Sequence, residues 1–255
     1  MAVIRIIRAT PILPKTQDWS TLERNAFEHP VWIDFARQEV LSLLGQAPQT
    51  LRDKPQIFVA PLLAGIQLLQ ARGENARILD IGGGIGQTIP YVLQHAVHYT
   101  VVDGPHNAQL GRKLFANFAQ VSFATCIPKD MSFNMVVING ALQYVQDWVA
   151  LLKTARSLGA SALFIGRLPL GVECTLHELQ KIVVGELPTS AGYARRWIFA
   201  RHDFDHAIRD AGWQLESDVF VRPSRFQPLD LEAPAQAIEI RSMLLTPIVF
   251  SGGRP

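Results

Sequence analysis

The sequence has little of what marks disulfide-rich, metal-binding or DNA-binding proteins. Its two cysteines, Cys126 and Cys174, are far apart and form no CxxC or Cys/His pattern, so we expect reduced thiols that are buried or half-buried. His95 and His98 have no acid or cysteine at metal-ligand spacing, and no metal site is predicted. The formal net charge is only +2 and no basic run occurs, which argues against nucleic acid as the main partner.

A long hydrophobic run is also absent. The N-terminal stretch "MAVIRIIRATPILP" is interrupted by Arg5 and Arg8, and it is too short for a signal peptide or a membrane span. We therefore expect no membrane association and a cytoplasmic location. What the chain does have is 255 residues, of which 48% are hydrophobic and 18% charged. That composition is enough for one large domain with a sizeable core.

From residue 77 onward, short apolar runs alternate with amphipathic stretches. The runs that predict strands are "RILDIG", "HYTVVDG", "VSFAT", "NMVVING" and "SALFIGRLPL". Between them we predict a helix with Ile85, Ile89 and Val92 on one face, and further helices over "HNAQLGRKLFANF" and "QDWVALLKTARSLG". This alternation is typical of an α/β fold with a doubly wound, mostly parallel sheet.

The two ends of the chain have different patterns. Residues 17–46, with a break near Pro30, and residues 57–73 are predicted to be helical. We expect residues 1–74 to form an N-terminal helical arm, either a lid or a homodimer contact, beside a main domain at 75–250. Near the C-terminus we predict a helix over "DFDHAIRDAGW". The segments "QLESDVFV" and "AIEIRSMLL" then pair as an antiparallel hairpin at a sheet edge.

A glycine-rich turn follows the first predicted strand, in "LDIGGGIGQT". Such a turn lets a ligand lie directly on the backbone. The dinucleotide pattern GxGxxG is not satisfied, because position 87 is Gln; the pattern present is DxGxGxG, starting at Asp80. A carboxylate at that position repels a pyrophosphate but attracts an ammonium or sulfonium group. A tight turn without a ligand is the alternative.

A second acid, Asp103, ends the next strand in "TVVDG". In nucleotide-binding α/β folds an acid at this place accepts hydrogen bonds from ribose hydroxyls. The alternative is a helix N-cap, for which Asp is also favoured. One acid for a ribose and one for an amino-acid head group together predict S-adenosylmethionine as the cofactor.

The segments "ARILDIGGGIG", "VVDG" and "NMVVING" resemble the class I S-adenosylmethionine-dependent methyltransferases. The motifs "LDIGGGIG", "VVDGPH", "NGALQYVQD" and "GRLPL" more specifically resemble a family of bacterial methyltransferases associated with surface polysaccharides or natural products. The resemblance covers roughly residues 75–220. It implies a Rossmann-like, seven-stranded sheet whose terminal strand is antiparallel.

The resemblance also implies which residues meet the cofactor. Asp80 and the glycines hold the methionine part, Asp103 holds the ribose, Thr125 and Cys126 lie near the adenine, and residues 139–141 border the reacting methyl. The full predicted set is Asp80, Gly82, Gly83, Gly84, Gly86, Gln87, Asp103, Gly104, Thr125, Cys126, Asn139, Gly140 and Ala141.

Four residues near predicted strand ends are candidates for catalysis. His177 or His106 would remove a proton from the acceptor, Tyr144 would orient it, and Arg167 would bind an acidic group on it. Each is individually more often structural than catalytic. The pair at 194–197, "ARRW", is predicted to lie on a solvated helix face, with an acid-binding role as the alternative.

These observations predict a methyltransferase acting on a small molecule or sugar in bacterial polysaccharide or natural-product synthesis. The segment "NGALQY" lacks the acidic or Pro-Pro-Tyr cluster of many amine-methylating sites, which favours O-methylation. Two alternatives remain open: a protein that binds S-adenosylmethionine for other chemistry, and a non-catalytic partner subunit. An NAD-dependent oxidoreductase is disfavoured by the failed GxGxxG pattern and by Asp80.

Overall fold

The computed structural model describes residues 26–46, 57–184, 189–226 and 236–249. These ranges contain five α-helices: α1 Pro30–Leu44, α2 Ala60–Ala71, α3 Pro105–Leu114, α4 Trp148–Ser157 and α5 Arg201–Asp210. They also contain nine strands: β1 Ala76–Ile81, β2 Val97–Val102, β3 Val121–Ala124, β4 Met135–Asn139, β5 Ala162–Val172, β6 Leu176–Val184, β7 Thr189–Ala200, β8 Trp213–Phe226 and β9 Gln236–Pro247.

Seven strands make one doubly wound path. Strands β3, β2, β1, β4 and β5 are parallel neighbours in that order. Strand β9 pairs antiparallel with β5, and β8 pairs antiparallel with β9. This confirms the predicted parallel sheet, the antiparallel last strand and the terminal hairpin. Every residue of β4 is buried, as expected for an interior parallel strand covered on both faces.

Helices cover both faces of the sheet, because alternate strand residues point to opposite sides. On one face α2 contributes Leu62, Ile66 and Leu69 to a core that includes Met135 and Val137 of β4. On the other face α4 and α5 pack against Val136 and Ile138, the alternate residues of the same strand. The core on this face also contains Leu152, Phe204 and Trp213. The result is the three-layer arrangement of a doubly wound α/β fold.

The segment after β1 differs from the prediction. The expected helix carrying Ile85, Ile89 and Val92 is a series of turns with one short 3-10 helix at Ile89–Tyr91. The three side chains are nevertheless buried. Pro90 lacks a backbone N–H and the preceding glycines add backbone freedom, which together disfavour a regular α-helix here.

A hairpin of β6 and β7 was not predicted. The two strands pair antiparallel, and the end of β7 pairs parallel with the end of β5 at Leu170 and Val172. The prediction of a solvated helix face at 194–197 is wrong, because Arg195 and Arg196 lie on β7 and are buried. The hairpin brings an extra pair of strands to the carboxyl edge of the parallel sheet, where β5 ends.

The described part of the N-terminal segment packs in two places. Helix α1 begins at Pro30, where the break was predicted, and the Nδ1 atom of His29 accepts a hydrogen bond from the Val31 amide at 3.2 Å. Helix α1 lies against β6 and β7, whereas α2 packs on the sheet. Residues 17–25 of the predicted helical stretch lie outside the described residues. The division at residue 74 stays a prediction.

The described residues also bear on the cysteines, on metal-binding side chains and on membrane-spanning helices. Cys126 and Cys174 are free thiols as predicted, but the expectation of burial is wrong because both are exposed. Within the described ranges no group of three or more His, Cys, Asp or Glu side chains is placed to hold a metal ion. In the same part of the chain no helix is long and apolar enough to cross a membrane.

Candidate active site

A cavity of about 780 Å³ opens at the carboxyl edge of the parallel strands. It lies where doubly wound sheets bind their ligands, and its volume suits a small molecule. Its floor comes from the loops after β1, β2 and β4, through the residues Gly82, Gly83, Gly84, Gln87, Asp103, Gly104, Asn139, Gly140 and Ala141. The sequence-predicted cofactor residues of these three loops therefore share one cavity, apart from Asp80 beneath it and Gly86 behind it.

The loop after β1 (the glycine loop) requires glycine, because an added side-chain atom would clash with its neighbours. Gly82 has a φ of 71°, and a Cβ there would lie 2.6 Å from the Cβ of Ala141 on the neighbouring loop. A Cβ on Gly83 would lie 2.4 Å from Oδ2 of Asp80. The loop after β1 therefore packs tightly on the loop after β4 and directly over the Asp80 carboxylate. Gly86 packs against Phe115 instead and does not line the cavity.

Asp80 is fully buried beneath this loop. The hydroxyl of Tyr99 donates a hydrogen bond to its Oδ2 atom at 2.8 Å, while Oδ1 has no hydrogen-bond partner among the described residues. The pKa of Asp80 is raised to about 7: burial is the largest cause, the Tyr99 hydrogen bond opposes it, the nearby Asp103 adds to it and Arg167 opposes it. An unpaired buried carboxylate oxygen is costly unless a donor or cation reaches it.

Asp103 connects the two loops on the cofactor side of the cavity. Its Oδ2 accepts from the Gly84 amide at 2.7 Å, and its Oδ1 accepts from the Gly104 amide at 2.7 Å and from Nδ2 of Asn107 at 2.9 Å. A carboxylate offers about four lone-pair positions, so one acceptor position on Oδ2 remains. The N-cap of α3 is Gly104, although Asp103 does help to bind the start of that helix.

Arg167 lies on β5 in an unusual backbone conformation. Its φ is 57°, the one positive value among the described non-glycine residues, and it falls at an irregularity of β5 between Ile165 and Leu168. Its Nε donates to Oδ1 of Asn139 at 3.0 Å, and its Nη2 donates to the Asn139 carbonyl at 3.1 Å. Strained residues of this kind concentrate at functional sites.

The guanidinium of Arg167 lines the cavity without an acidic partner. Among the described residues no carboxylate lies within 4 Å of it, whereas Arg196, also on the cavity wall, forms an ion pair with Glu178. Burial lowers the pKa of Arg167, and Glu39 is the largest opposing influence. Its Cζ lies 5.4 Å from the ring centre of Phe58, within cation–π range.

Aromatic side chains form one wall of the cavity, with contributions from Phe27, Trp32, Phe58 and Tyr144. The rings of Phe27 and Tyr144 meet edge to face at 4.7 Å, and those of Phe27 and Trp32 at 5.2 Å. The Tyr144 hydroxyl donates to Oε1 of Gln180 at 3.0 Å, and burial raises its pKa. Residues 26–44 and the β6–β7 hairpin thus cover the cavity together.

Besides Asp80 and Gly86, four other predicted site residues do not line the cavity. Thr125, Cys126 and His106 are exposed and do not line it. His177 on β6 is half-buried, with its ring 5.3 Å from that of Trp197 on β7, and it does not line the cavity either. Neither imidazole is therefore placed to take a proton from a molecule in the cavity of this structure.

Glu39 on α1 was missed by the sequence analysis. It lines the cavity with an exposed side chain, and partial burial raises the pKa of its carboxyl group while Arg167 opposes the shift. It also acts electrostatically on Tyr91, whose pKa burial raises to about 12. Nothing in "DFARQEV" separates Glu39 from an ordinary exposed helix acid, because only the packing of α1 over the cavity distinguishes it.

The sequence matches a family described as a methyltransferase domain over residues 56–218, more than half of the chain. The chain belongs to this methyltransferase family. This confirms the prediction of a methyltransferase enzyme. The match begins in the segment before α2 and ends in β8, so it includes all three loops of the cavity floor. No curated protein matches the chain significantly in sequence.

Solved methyltransferase structures share the fold at low sequence identity. The 1,6-didemethyltoxoflavin-N1-methyltransferase of Burkholderia thailandensis, solved with S-adenosylhomocysteine, has a TM-score of 0.53 and 15% identity, with 93% of each chain covered. An S-adenosylmethionine-dependent methyltransferase of Clostridium acetobutylicum has a TM-score of 0.51 and 9% identity, covering 76% of this chain and 92% of its own. The CcbJ methyltransferase of Streptomyces caelestis has a TM-score of 0.50 and 12% identity, covering 77% and 91%. These structures agree with the predicted Rossmann-like fold and with the predicted cofactor.

Proposed function

We propose that this protein transfers a methyl group from S-adenosylmethionine to a hydroxyl group of a small molecule or sugar. The observation that carries the proposal is the single cavity bounded by the glycine loop, Asp103 and residues 139–141. Family membership supports the reaction class. Support for oxygen as the acceptor atom comes from "NGALQY", which lacks an amine-recognition cluster, and from a carboxylate in the cavity that can accept a proton.

The residues present fit this cofactor. Asp80 has an unpartnered buried oxygen under the glycine loop, which suits an ammonium group reached directly or through a water. Asp103 keeps one acceptor position on Oδ2 for a ribose hydroxyl. Glycines 82–84 present bare backbone to the cavity, so a ligand can approach closely there. We assign the amino-acid part of the cofactor to Asp80 and the glycine loop, and its ribose to Asp103.

When bound, S-adenosylmethionine supplies an electrophilic methyl carbon on a sulfonium. The protein has to position the acceptor in line with that carbon and to exclude water. The loop after β4 contributes Asn139, whose amide is held by Thr88 at 3.0 Å and by Arg167. The aromatic wall and the β6–β7 hairpin provide the cover that keeps water out.

We propose Glu39 as the proton acceptor in place of His106 or His177. It lines the cavity, and neither histidine does. A carboxyl pKa raised by burial makes the ionised group a stronger base near neutral pH. Tyr144 keeps its predicted role as an orienting group, because its hydroxyl is held by Gln180 beside the cavity.

The proposed role in bacterial polysaccharide or natural-product synthesis is supported by the sequence resemblance. The proposed cytoplasmic location is supported by the two unpaired cysteines, and a homodimer contact or a lid at residues 1–74 by the predicted helical pattern of that segment. The alternative of cofactor binding without methyl transfer is separated by product analysis, because only a methyltransferase converts S-adenosylmethionine to S-adenosylhomocysteine in the presence of an acceptor.

Calorimetric titration of the full chain with S-adenosylmethionine, S-adenosylhomocysteine and NAD tests the cofactor assignment. We expect micromolar binding of the two adenosyl ligands, no binding of NAD, and at least tenfold weaker adenosyl binding by Asp103→Asn and Asp103→Ala. The matched control is Asp130→Asn, an exposed acid outside the cavity, which should bind normally. Absence of adenosyl binding by the unmodified protein would overturn the proposal.

A further inference from the structure

Arg167 presents a cation to the cavity in one fixed orientation. Two of its donor nitrogens are used by Asn139, at 3.0 and 3.1 Å, and its face lies near the Phe58 ring. The main-chain amide of Arg167 donates to Oγ of Ser242 at 3.2 Å. These contacts hold the guanidinium in one orientation and leave its Nη1 without a hydrogen bond to any described residue.

The charge of this guanidinium is not neutralised by a neighbour. Unlike Arg167, three arginines in the described ranges have a carboxylate within 4 Å: Arg196, Arg201 and Arg241. Among the described residues, the acceptors of the Arg167 guanidinium are the side-chain oxygen and the carbonyl of Asn139, and Glu39 acts on it from beyond ion-pair distance. The Arg167 side chain is exposed to the open cavity, so an anionic ligand can reach it and form a charge-assisted hydrogen bond.

The surroundings of Arg167 favour a planar ligand. Phe27, Trp32, Phe58 and Tyr144 give the adjoining wall an aromatic surface, on which a flat ring gains both apolar burial and edge or face contacts. Glu39 lies on the same side of the cavity, close enough to influence the pKa of both Arg167 and Tyr91. Arg167 and Glu39 line the cavity without forming an ion pair. They therefore suit a ligand whose acidic group meets the guanidinium and whose hydroxyl, elsewhere on the ligand, meets the carboxylate.

We propose that the methyl acceptor is a planar aromatic hydroxy acid whose acidic group pairs with Arg167 and whose hydroxyl faces Glu39. This inference rests on the proposed function and names the acceptor class for it. In the transfer the hydroxyl oxygen forms a bond to the methyl carbon as the methyl–sulfur bond breaks. The electron pair of that bond stays on sulfur, and the hydroxyl proton passes to the Glu39 carboxylate. The charges balance, because a sulfonium and a carboxylate become a neutral thioether and a carboxylic acid.

A competing partner for Arg167 is the carboxylate of the cofactor's own amino-acid part. The two possibilities predict different losses when the guanidinium is removed. If Arg167 serves the acceptor, cofactor affinity is retained and acid affinity is lost. If Arg167 serves the cofactor, S-adenosylhomocysteine itself binds more weakly.

The test is calorimetric titration of the full chain, saturated with S-adenosylhomocysteine, with 4-hydroxybenzoate and with its neutral counterpart 4-hydroxybenzamide. We expect the acid to bind at least tenfold more tightly than the amide. Arg167→Gln should lose at least tenfold in affinity for the acid, while its affinity for the amide and for S-adenosylhomocysteine stays within about threefold. Arg167→Lys should recover part of the acid affinity, because it keeps the charge but not the planar fork.

The matched control is Arg209→Gln, which removes an exposed arginine outside the cavity lining and should change acid binding less than threefold. Equal affinity for acid and amide, absence of acid binding, or weakened S-adenosylhomocysteine binding by Arg167→Gln would each overturn the inference. Retained amide binding shows that the variant is folded. Failure of the unmodified protein to bind S-adenosylhomocysteine would instead count against the proposed function. In that case the affinities for the acid and the amide are compared in the absence of S-adenosylhomocysteine.

Discussion

The Oδ2 atom of Asp103 accepts a hydrogen bond of 2.7 Å from the amide of Gly84, which lies on the loop of a different strand. The acid after β2 therefore holds the glycine loop after β1, in addition to any contact with a ribose. A residue with both roles should show two separable effects when it is replaced, one on folding and one on ligand binding.

Asp103→Asn should lower the free energy of unfolding by about 1–3 kcal/mol, because charge-assisted bonds to the Gly84 and Gly104 amides become neutral or are lost. Asn107→Ala removes only one donor to Oδ1 and should cost less. Urea denaturation measures both. Equal stability of Asp103→Asn and the unmodified protein would show that the link between the loops contributes nothing.

Asp80 should make the fold less stable as pH rises from about 4 to about 7. The pKa of the Asp80 carboxyl is about 7 in the folded protein, and its ordinary value is 3.8. In this window the unfolded chain has therefore lost a proton that the folded chain retains. The contribution of Asp80 to the free energy of unfolding is complete below pH 4. It decreases by up to about 4 kcal/mol through this window and is constant above it. Asp80→Asn should lack this fall. Thermal denaturation across pH measures it, and parallel curves for the two proteins would contradict the prediction.

Ligand binding should reverse this shift at Asp80. An ammonium group near Oδ1 favours the ionised carboxylate, so the binding of S-adenosylhomocysteine at pH 6 should release a proton and its affinity should rise toward pH 8. Calorimetry in buffers of different ionisation enthalpy counts the protons released. The signal should disappear in Asp80→Asn; proton release of the same size from that variant would assign the effect to another group.

Glu39→Gln should reduce kcat by about a hundredfold or more, the usual contribution of a general base, with 4-hydroxybenzoate as the acceptor. The unmodified enzyme should lose activity at low pH as Glu39 becomes protonated, and this limb should be absent in the variant. S-adenosylhomocysteine affinity should not change. A second measurement needs no acceptor: since burial raises the pKa of Glu39 in the folded state, the stability of the unmodified protein should fall relative to Glu39→Gln as pH rises above 4.5. Unchanged kcat together with unchanged pH profiles would remove Glu39 from the reaction.

Gly82→Ala should impair both stability and cofactor binding, because the φ of 71° disfavours a side chain and the new Cβ would lie 2.6 Å from Ala141. The matched control is Gly73→Ala, where φ is 76° but nothing lies within 4 Å of the added atom. The control should cost about 1–2 kcal/mol of stability from backbone strain alone and should bind S-adenosylhomocysteine normally. Denaturation and calorimetry on both variants separate strain from loop packing; equal binding by the two would deny Gly82 a part in the cavity.

The parallel sheet, the antiparallel terminal hairpin and the three loops of the cavity floor could all be predicted from local sequence patterns. These follow from local patterns. An apolar run of strand length bounded by glycine or acid marks a strand and its carboxyl end, and carboxyl ends of parallel strands meet at one edge. Asp80, Asp103 and Asn139 could therefore be predicted as candidate site residues, since each lies at the end of such a run.

The cover over that edge could not be predicted, because helix α1 and the β6–β7 hairpin come from distant parts of the chain. Their packing places Glu39 at the cavity. His106, Thr125 and Cys126 are exposed outside it. Contacts between segments far apart in sequence leave no periodic signal in either segment, so Glu39 looks like any helix acid and the hairpin like a charged stretch. The position of Arg167 was recognised from a motif, but its left-handed backbone and missing counter-charge are properties of the folded β5 alone.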